Sequence, residues 1–329
     1  MKKSLATLGL LAAATLALAG CSDSAAVSDA AVPSSSASKA AEITKIRVAS
    51  LPIAETGALW AAIDEGIFLE HGLDVEVVPA QGGAQAIPAL LSGDIQFAIG
   101  QPFGPIRADL QNLGVVIIGD YANSLASGTD VNAVVALGDS GIASPKDLSG
   151  KKVSVNSLGA AGDLTIRAAV DADGGDSSTI EFIEVGFPDV KAQLEAGTID
   201  AGWAPDPFRG MVVGAGGVSV VAPYQATIPG LTVLTNITTQ KLLDEEPELV
   251  ASYAAAMTEA LEFAASNEDA VRAAIAKGLD IPAEAAAGIA LPEFTFDLDV
   301  DNVKTLADLA VKYTYIDKLP DFDRLIQQQ

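Results

Sequence analysis

Lys45-Ile46-Arg47-Val48-Ala49-Ser50-Leu51 and Lys152-Val153-Ser154-Val155-Asn156-Ser157-Leu158 are the two stretches that decide how this chain folds. Each alternates apolar and polar side chains as a strand does, and each runs into a turn and then a helical pattern. After the first, Pro52 breaks the strand, and Leu59, Trp60 and Ile63 fall at helical spacing up to Glu65. Thr56 is expected to cap that helix and Gly66 to close it. Asp74 to Pro79 reads as a second strand, and Gly82-Gly83 opens a helix that runs to Leu91 and ends at Gly93. Ile95, Phe97 and Ile99 form a third strand. This alternation predicts an α/β lobe around a mostly parallel sheet flanked by helices.

The same phrases return about 105 residues later. Leu194-Glu195-Ala196-Gly197-Thr198-Ile199-Asp200 echoes Leu90-Leu91-Ser92-Gly93-Asp94-Ile95-Gln96, and Asp206-Pro207-Phe208 answers Gln101-Pro102-Phe103. Echoes in one order at one spacing imply two similarly built lobes. Leu231 to Ile237 reads as a strand returning to the first lobe, and Pro247 to Ala265 and Ser266 to Lys277 as helices. Ser266 and Asp269 stand at capping-box spacing in the second of these. The chain then crosses between lobes twice, near Asn132 to Leu137 and near Pro229 to Thr235, and such a pair of hinge strands lets the lobes move. The expected division is 43–134 with 232–329 for lobe 1 and 135–231 for lobe 2.

The chain has 329 residues, enough for two domains, and its 43 acidic against 19 basic side chains give a net charge of −24. A polyanion would be repelled, so no nucleic-acid partner is expected. One Cys and one His, Cys21 and His71, rule out a Cys-rich or two-His metal centre within one chain, and neither metal nor cofactor is expected. Lys2 and Lys3 precede an apolar stretch from Leu5 to Ala19, too short to span a bilayer well but suited to an export signal over 1–20. It ends in Leu18-Ala19-Gly20-Cys21, which resembles the bacterial lipoprotein box and implies a lipidated Cys21 on the extracytoplasmic face of the cell membrane. The Ser- and Ala-rich run over 21–42 reads as a flexible tether.

Beyond these features, four runs resemble a known family: Ile46 to Ser50; Glu65-Gly66-Ile67-Phe68-Leu69-Glu70-His71-Gly72-Leu73-Asp74-Val75; Leu90-Leu91-Ser92-Gly93-Asp94; and Asp147-Leu148-Ser149-Gly150-Lys151-Lys152-Val153. They are similar to the bacterial solute-binding proteins of the sulfonate, nitrate, taurine and thiamine-pyrimidine uptake group, across roughly Ile43 to Phe208. That resemblance implies a two-lobed, type II periplasmic-binding-protein-like fold that closes on a small molecule and delivers it to an ABC permease and its ATPase. Many members carry Trp-Glu-Pro followed by an aromatic residue. Here Pro205 replaces the Trp, Asp206-Pro207-Phe208 follows, and Trp203 lies two residues earlier.

In open α/β sheets, ligands bind past the carboxyl ends of the parallel strands. In the first lobe this rule selects Leu51, Pro52, Ile53, Glu55 and Thr56, with Gly82 and Gly83, and then Gln101, Pro102 and Phe103. In the second it selects Asn156, Ser157, Leu158, Gly159 and Asp163, and then Trp203 and Asp206. Glycines let backbone N–H groups approach a ligand closely, and prolines stiffen the loops. Gly82, Gly83 and Gly159 serve turns equally well, Trp203 and Phe103 suit core packing equally well, and Asn156 and Ser157 can cap the next helix. The selected loops carry Glu55, Asp163 and Asp206 but no Lys or Arg; Arg107 and Arg209 lie just beyond the two Pro-Phe turns and can either swing in or stay solvated. The expected ligand is therefore a neutral or cationic, pyrimidine-like heteroaromatic solute, with an alkanesulfonate, taurine or nitrate-type anion held by helix N-termini as the alternative. A monomer is expected.

Gly138-Asp139-Ser140-Gly141 looks like the active-serine phrase of trypsin-like proteases, but His71 sits at what reads as a solvent-facing helix end, so the phrase reads as a polar turn. A secreted enzyme and a membrane-tethered ligand sensor stand as rival classes to the transport receptor, which is not expected to be an enzyme.

Overall fold

The computed structural model describes residues 43–80 and 82–329. The export signal, Cys21 and the tether lie outside the described residues.

Two sheets organise the body. The first contains β1 (Thr44–Ser50), β2 (Leu73–Pro79), β3 (Phe97–Gly100) and β4 (Val115–Asn123). The second contains β5 (Asn132–Ala136), β6 (Lys152–Val155), β7 (Glu181–Glu184), β8 (Ala201–Pro205) and β9 (Val218–Val221). The chain then returns to the first sheet as β10 (Thr232–Thr239) and β11 (Glu293–Phe294). Strand orders are β11-β4-β10-β3-β1-β2 and β7-β6-β8-β5-β9.

The expected mostly parallel sheets are mixed. The trios β2-β1-β3 and β7-β6-β8 are parallel, whereas β10, β4 and β11 in one sheet and β5 and β9 in the other pair antiparallel. The cause is the route of the chain. Strands β5 and β10 are each the first strand after a crossing, so each enters its sheet from the end where the parallel strands finish. The strand–helix–strand alternation continues to β4 and β9, but β10 and β5 insert between each of these and its parallel trio.

Crossings run through residues 124–131 and 222–231, each starting upstream of the expected positions, and β5 pairs with β8 along its whole length. Residues 132–134 therefore belong with the second sheet. Asp130 ties the first crossing, accepting from Ser124 Oγ at 3.1 Å and from the Leu125 amide at 2.9 Å. Gln225 Nε2 joins the second crossing to the first through the Leu125 carbonyl at 2.8 Å.

The internal echo has a structural meaning. Gln96 accepts from the Arg47 amide at 2.9 Å through Oε1, and Asp200 accepts from the Lys152 amide at 2.8 Å through Oδ2. Each side chain satisfies a backbone N–H of the neighbouring strand, in the middle of β1 and at the start of β6. The glycines that precede them, Gly93 and Gly197, end their helix turns at φ 81° and 67°, in the left-handed region that favours glycine.

Thr56 does not cap the helix Gly57–Glu65. Its hydroxyl donates instead to the carbonyls of Leu51 at 2.7 Å and Ile53 at 2.8 Å, folding the loop after β1 onto itself. Gly66 closes that helix with φ 83°. Ser266 is the last residue of the helix Pro247–Ser266 and Asn267 precedes Glu268–Gly278, so the capping box does not form.

The helix Pro247–Ser266 turns Ala254, Ala256, Ala260 and Ala264 inward, so it lies close against its neighbours. Its Tyr253 ring stacks on Phe97 of β3, centroids 3.7 Å apart and 3° from parallel, and its hydroxyl donates to Asn236 of β10 at 2.8 Å. An aromatic pair of this kind adds about 1 kcal/mol beyond the area it buries. Among the described residues, no helix is long and apolar enough to cross a membrane, and no cluster of three or more metal-ligating side chains occurs.

Candidate functional site

Loops that leave β1, β3, β6 and β7 meet between the sheets and enclose two adjoining cavities. One, of about 50 Å³, is a polar slot walled by Gly82, Gln85, Gln101, Phe103 and Arg107 from the first lobe and by 156–160 from the second. The other, of about 200 Å³, is an apolar chamber between Pro52 and Ile53 on one side and Phe187, Pro188 and Phe208 on the other. Leu51 and Asn156 border both.

Local chemistry holds these walls in place. Gln101 Nε2 donates to the Tyr224 hydroxyl at 2.9 Å, linking the end of β3 to the helix Pro223–Thr227. Asp163 accepts from the Gly159 and Ala160 amides, both at 2.8 Å, and so fixes the turn into the helix Ala161–Ala172. Burial raises its pKa, partly offset by those two bonds. Asn156 and Ser157 lie ahead of this cap, which falls at Ala160, and line the slot instead.

Trp203 and Asp206 are held in the structure rather than presented to a cavity. The Trp203 ring is buried edge-on to Phe187 and Tyr224, centroids 5.5 and 5.4 Å away, and its Nε1 donates to Asn132 at 2.9 Å. The Asp206 carboxylate is closed by Arg209, which reaches both oxygens and also the Asp130 carbonyl at 2.6 Å. The Gly210 amide donates to it at 3.0 Å.

Glu55 is the least satisfied of the selected residues. It is 2% exposed, and its Oε2 has no hydrogen-bond partner. Desolvation, reinforced by the charges of Asp206 and Asp130 and offset in part by Arg209, pushes its pKa up to about 8. The amide beside it, Ala54 N, donates to the Asp206 carbonyl at 3.3 Å, so the loop after β1 touches the loop after β8 directly.

Of the residues selected from sequence, Leu51, Gly82, Gln101, Phe103, Asn156, Ser157, Leu158 and Gly159 come together on the slot, and Leu51, Pro52, Ile53 and Asn156 on the chamber. Glu55, Thr56, Asp163, Trp203 and Asp206 support the walls from behind. Pro102 stands ahead of the helix Phe103–Leu110, and Gly83 opens Gly83–Ser92. Sequence reasoning omits Gln85, Phe187, Pro188 and Phe208. The loop Gly186-Phe187-Pro188-Asp189 follows a parallel strand, β7, and the same carboxyl-end rule selects it once that strand is known.

The serine-protease likeness does not extend to the structure. Ser140 Oγ donates to the Leu137 carbonyl at 2.6 Å inside a turn that ends at Gly141 with φ 74°, and His71 pairs with Glu259 at 2.8 Å.

The family model described as NMT1/THI5 like matches residues 54–271. The chain belongs to that family. A formylaminopyrimidine-binding protein from Halalkalibacterium halodurans is 26% identical over 234 residues, covering 70% of this chain and 69% of the relative. Among solved structures, the alkanesulfonate-binding protein SsuA from Xanthomonas axonopodis pv. citri, bound to MOPS, superposes with a TM-score of 0.75 at 15% identity, over 88% of this chain and 100% of that one. The periplasmic aliphatic sulphonate-binding protein SsuA from Escherichia coli gives 0.69 at 18% identity, over 86% and 92%. The desulfurization enzyme DSZB in complex with biphenyl-2-sulfinic acid gives 0.65 at 17% identity, over 87% and 96%. The NMT1/THI5-like chain thus has the periplasmic-binding-protein fold, which both binding proteins and an enzyme share. Its family match begins at Ala54, just after Leu51, Pro52 and Ile53, spans the other loops of the slot and the chamber, and stops before the C-terminal segment that follows Val271.

Proposed function

We propose that this protein is the extracytoplasmic solute-binding component of an ABC importer, anchored through a lipidated Cys21. It captures a small heteroaromatic, pyrimidine-like molecule between two lobes by hinge closure and presents it to a permease without altering it. The observation that carries this reading is the apolar chamber of about 200 Å³ between two separately built lobes, opening onto a polar slot. A cavity of roughly 150 Å³ accepts a benzene ring, so the chamber suits one substituted six-membered ring. Behind the walls, the carboxylates of Asp130 and Asp206 outnumber the single guanidinium of Arg209, and Glu55 stays protonated beside them, which favours a neutral or cationic ring over an anion buried there. The formylaminopyrimidine-binding relative supports the same class. Two short crossings, tied to each other at Leu125, supply the hinge.

A thermal-shift and calorimetric panel of a formylaminopyrimidine, its free amine, MOPS, taurine and nitrate tests the reading, with X-ray scattering on any binder. Binding of a pyrimidine with a fall in radius of gyration is expected. Absence of binding across the panel, or chemical turnover of a bound compound, overturns it.

A further inference from the structure

We propose that Arg107 is a specificity-determining residue of the cleft, selecting solutes that carry an oxygen acceptor, a carbonyl or an oxyanion, beside the ring. This inference rests on the solute-binding reading above and refines the class of ligand.

Arg107 projects from the helix Phe103–Leu110 of the first lobe and lies along the second. A Cβ built on Gly159 would sit 3.0 Å from Arg107 Nη2 and 3.3 Å from Nη1. Gly159 has φ 68°, so glycine both permits that turn and leaves the guanidinium its place. The charge also rests 5.4 Å from the Phe103 ring centroid, which fixes the side chain near the slot at modest cost.

Its donors are nearly unused. Arg47, Arg209, Arg272 and Arg324 each pair with a carboxylate, and Arg167 donates to the Ser177 carbonyl and the Tyr315 hydroxyl. Among the described residues, no carboxylate lies within 4.0 Å of Arg107, whose side chain makes one long bond of 3.4 Å, to the Tyr315 carbonyl. In a chain with 43 acidic side chains, a cleft guanidinium left without one is available to an acceptor that arrives from outside.

The slot agrees in its chemistry. Gln85, Gln101, Asn156 and Ser157 line it with Arg107, and no acidic residue does. On its outer side Arg107 also faces an open hollow of about 700 Å³ with Asp163, Asp171 and Asp176, none of which pairs with it: Asp163 has its oxygens occupied by the Gly159 and Ala160 amides, and Asp171 accepts from Tyr313. The chamber beyond Leu51 and Asn156 is apolar. A ligand filling both cavities therefore has a ring at the Phe187–Phe208 end and an acceptor at the Arg107 end. The sequence places Arg107 just beyond the Pro-Phe turn and leaves open whether it swings in.

Calorimetry on the full chain with three probes tests the assignment: a formylaminopyrimidine, which offers a neutral carbonyl; MOPS, which offers a sulfonate; and the deformylated aminopyrimidine, which offers neither. Wild type is expected to bind one acceptor-bearing probe about tenfold more tightly than the free amine. Arg107→Met is expected to shrink that ratio about fivefold or more, Arg107→Lys to recover part of it, and the unliganded melting temperature of both to stay within about 2 °C of wild type, because the side chain is exposed. Which acceptor-bearing probe responds identifies the source, carbonyl or sulfonate. A ratio unchanged in Arg107→Met, or a wild type that prefers the free amine, overturns the Arg107 assignment and leaves the receptor reading standing. A wild type that binds none of the three overturns both.

Discussion

The Tyr313 hydroxyl donates to Asp171 Oδ2 at 2.7 Å, joining the segment after the helix Val300–Lys312 to the helix Ala161–Ala172 of the second lobe. Two residues later, the Tyr315 hydroxyl accepts from Arg167 Nε at 3.1 Å on the same helix. Between them Thr314 has φ 61°, an uncommon conformation for a β-branched residue that directs both rings the same way. The chain then returns to the first lobe, where Arg324 meets Asp109 at 2.6 Å. The C-terminal segment is thus a further tie between lobes that are also joined by their two crossings and by the direct contact of Ala54 with Asp206.

Tyr313→Phe removes one hydroxyl of this tie and leaves the ring. A part-exposed bond of this kind contributes about 1 kcal/mol, so a small fall in melting temperature is expected. The informative readout is hydrogen exchange, which is expected to rise in residues 161–172 and 313–316 with β1 and β3 unaffected. Uniform exchange across both lobes would show that the tie does not act between them.

Glu55 predicts a pH dependence with a definite sign. Its folded pKa of about 8 lies above the ordinary glutamate value of 4.5, so the folded state holds a proton that the unfolded state releases between those limits. That contribution is fully present below about pH 4.5 and is lost as pH rises toward 8. Asp120, also buried and raised to about 7, acts in the same direction. The difference between wild type and Glu55→Gln isolates Glu55: the variant is expected to gain stability relative to wild type as pH rises from 5 to 9. Parallel denaturation midpoints across that range would refute the assignment.

Gly162→Ala tests how the second lobe is packed. An added Cβ would stand 2.9 Å from two atoms of the Trp203 ring, which is confined by Phe187, Tyr224 and its bond to Asn132. Overpacking of this kind costs about 1 to 3 kcal/mol, against the up to about 1 kcal/mol that alanine otherwise gains over glycine in a helix. The expected result is a lower denaturation midpoint at unchanged slope; a stabilised variant would mean that the ring has room to move.

Reading from sequence succeeds where the signal is local and fails where it is not. Strands β1 and β6 stand out because their alternation is complete, and Gly66 and Gly93 because no other residue closes a helix so readily at positive φ. Strand β7 is Glu-Phe-Ile-Glu at the rim of its sheet, half exposed, and shows no buried face in its spelling, so its loop and Phe187 are missed with it. The pairing of Asp206 with Arg209 is legible at spacing i, i+3. Burial of Glu55 and enclosure of Trp203 arise from contacts with segments 60 to 150 residues away, such as Tyr121, Asn132 and Asp206, which no short window contains.

Gln101 and Tyr224 carry the sharpest test of contact between the lobes. The Tyr224 hydroxyl is fully buried and accepts from Gln101 Nε2, whereas the Gln101 amide is only part-buried and borders the slot. The two ends of this bond are therefore unequal. Gln101→Leu leaves a buried hydroxyl without its partner and is expected to cost about 1 to 3 kcal/mol, while Tyr224→Phe leaves an amide that water can reach and costs less. The double variant is expected to match Tyr224→Phe, giving a coupling energy equal to the cost of Gln101→Leu, about 1 to 3 kcal/mol, in a double-mutant cycle on chemical denaturation. Because the bond ties the end of β3 to the second crossing, Gln101→Leu is also expected to raise the radius of gyration of the unliganded protein. Additive single effects with unchanged scattering would mean that the two side chains act separately and that this contact does not hold the lobes together.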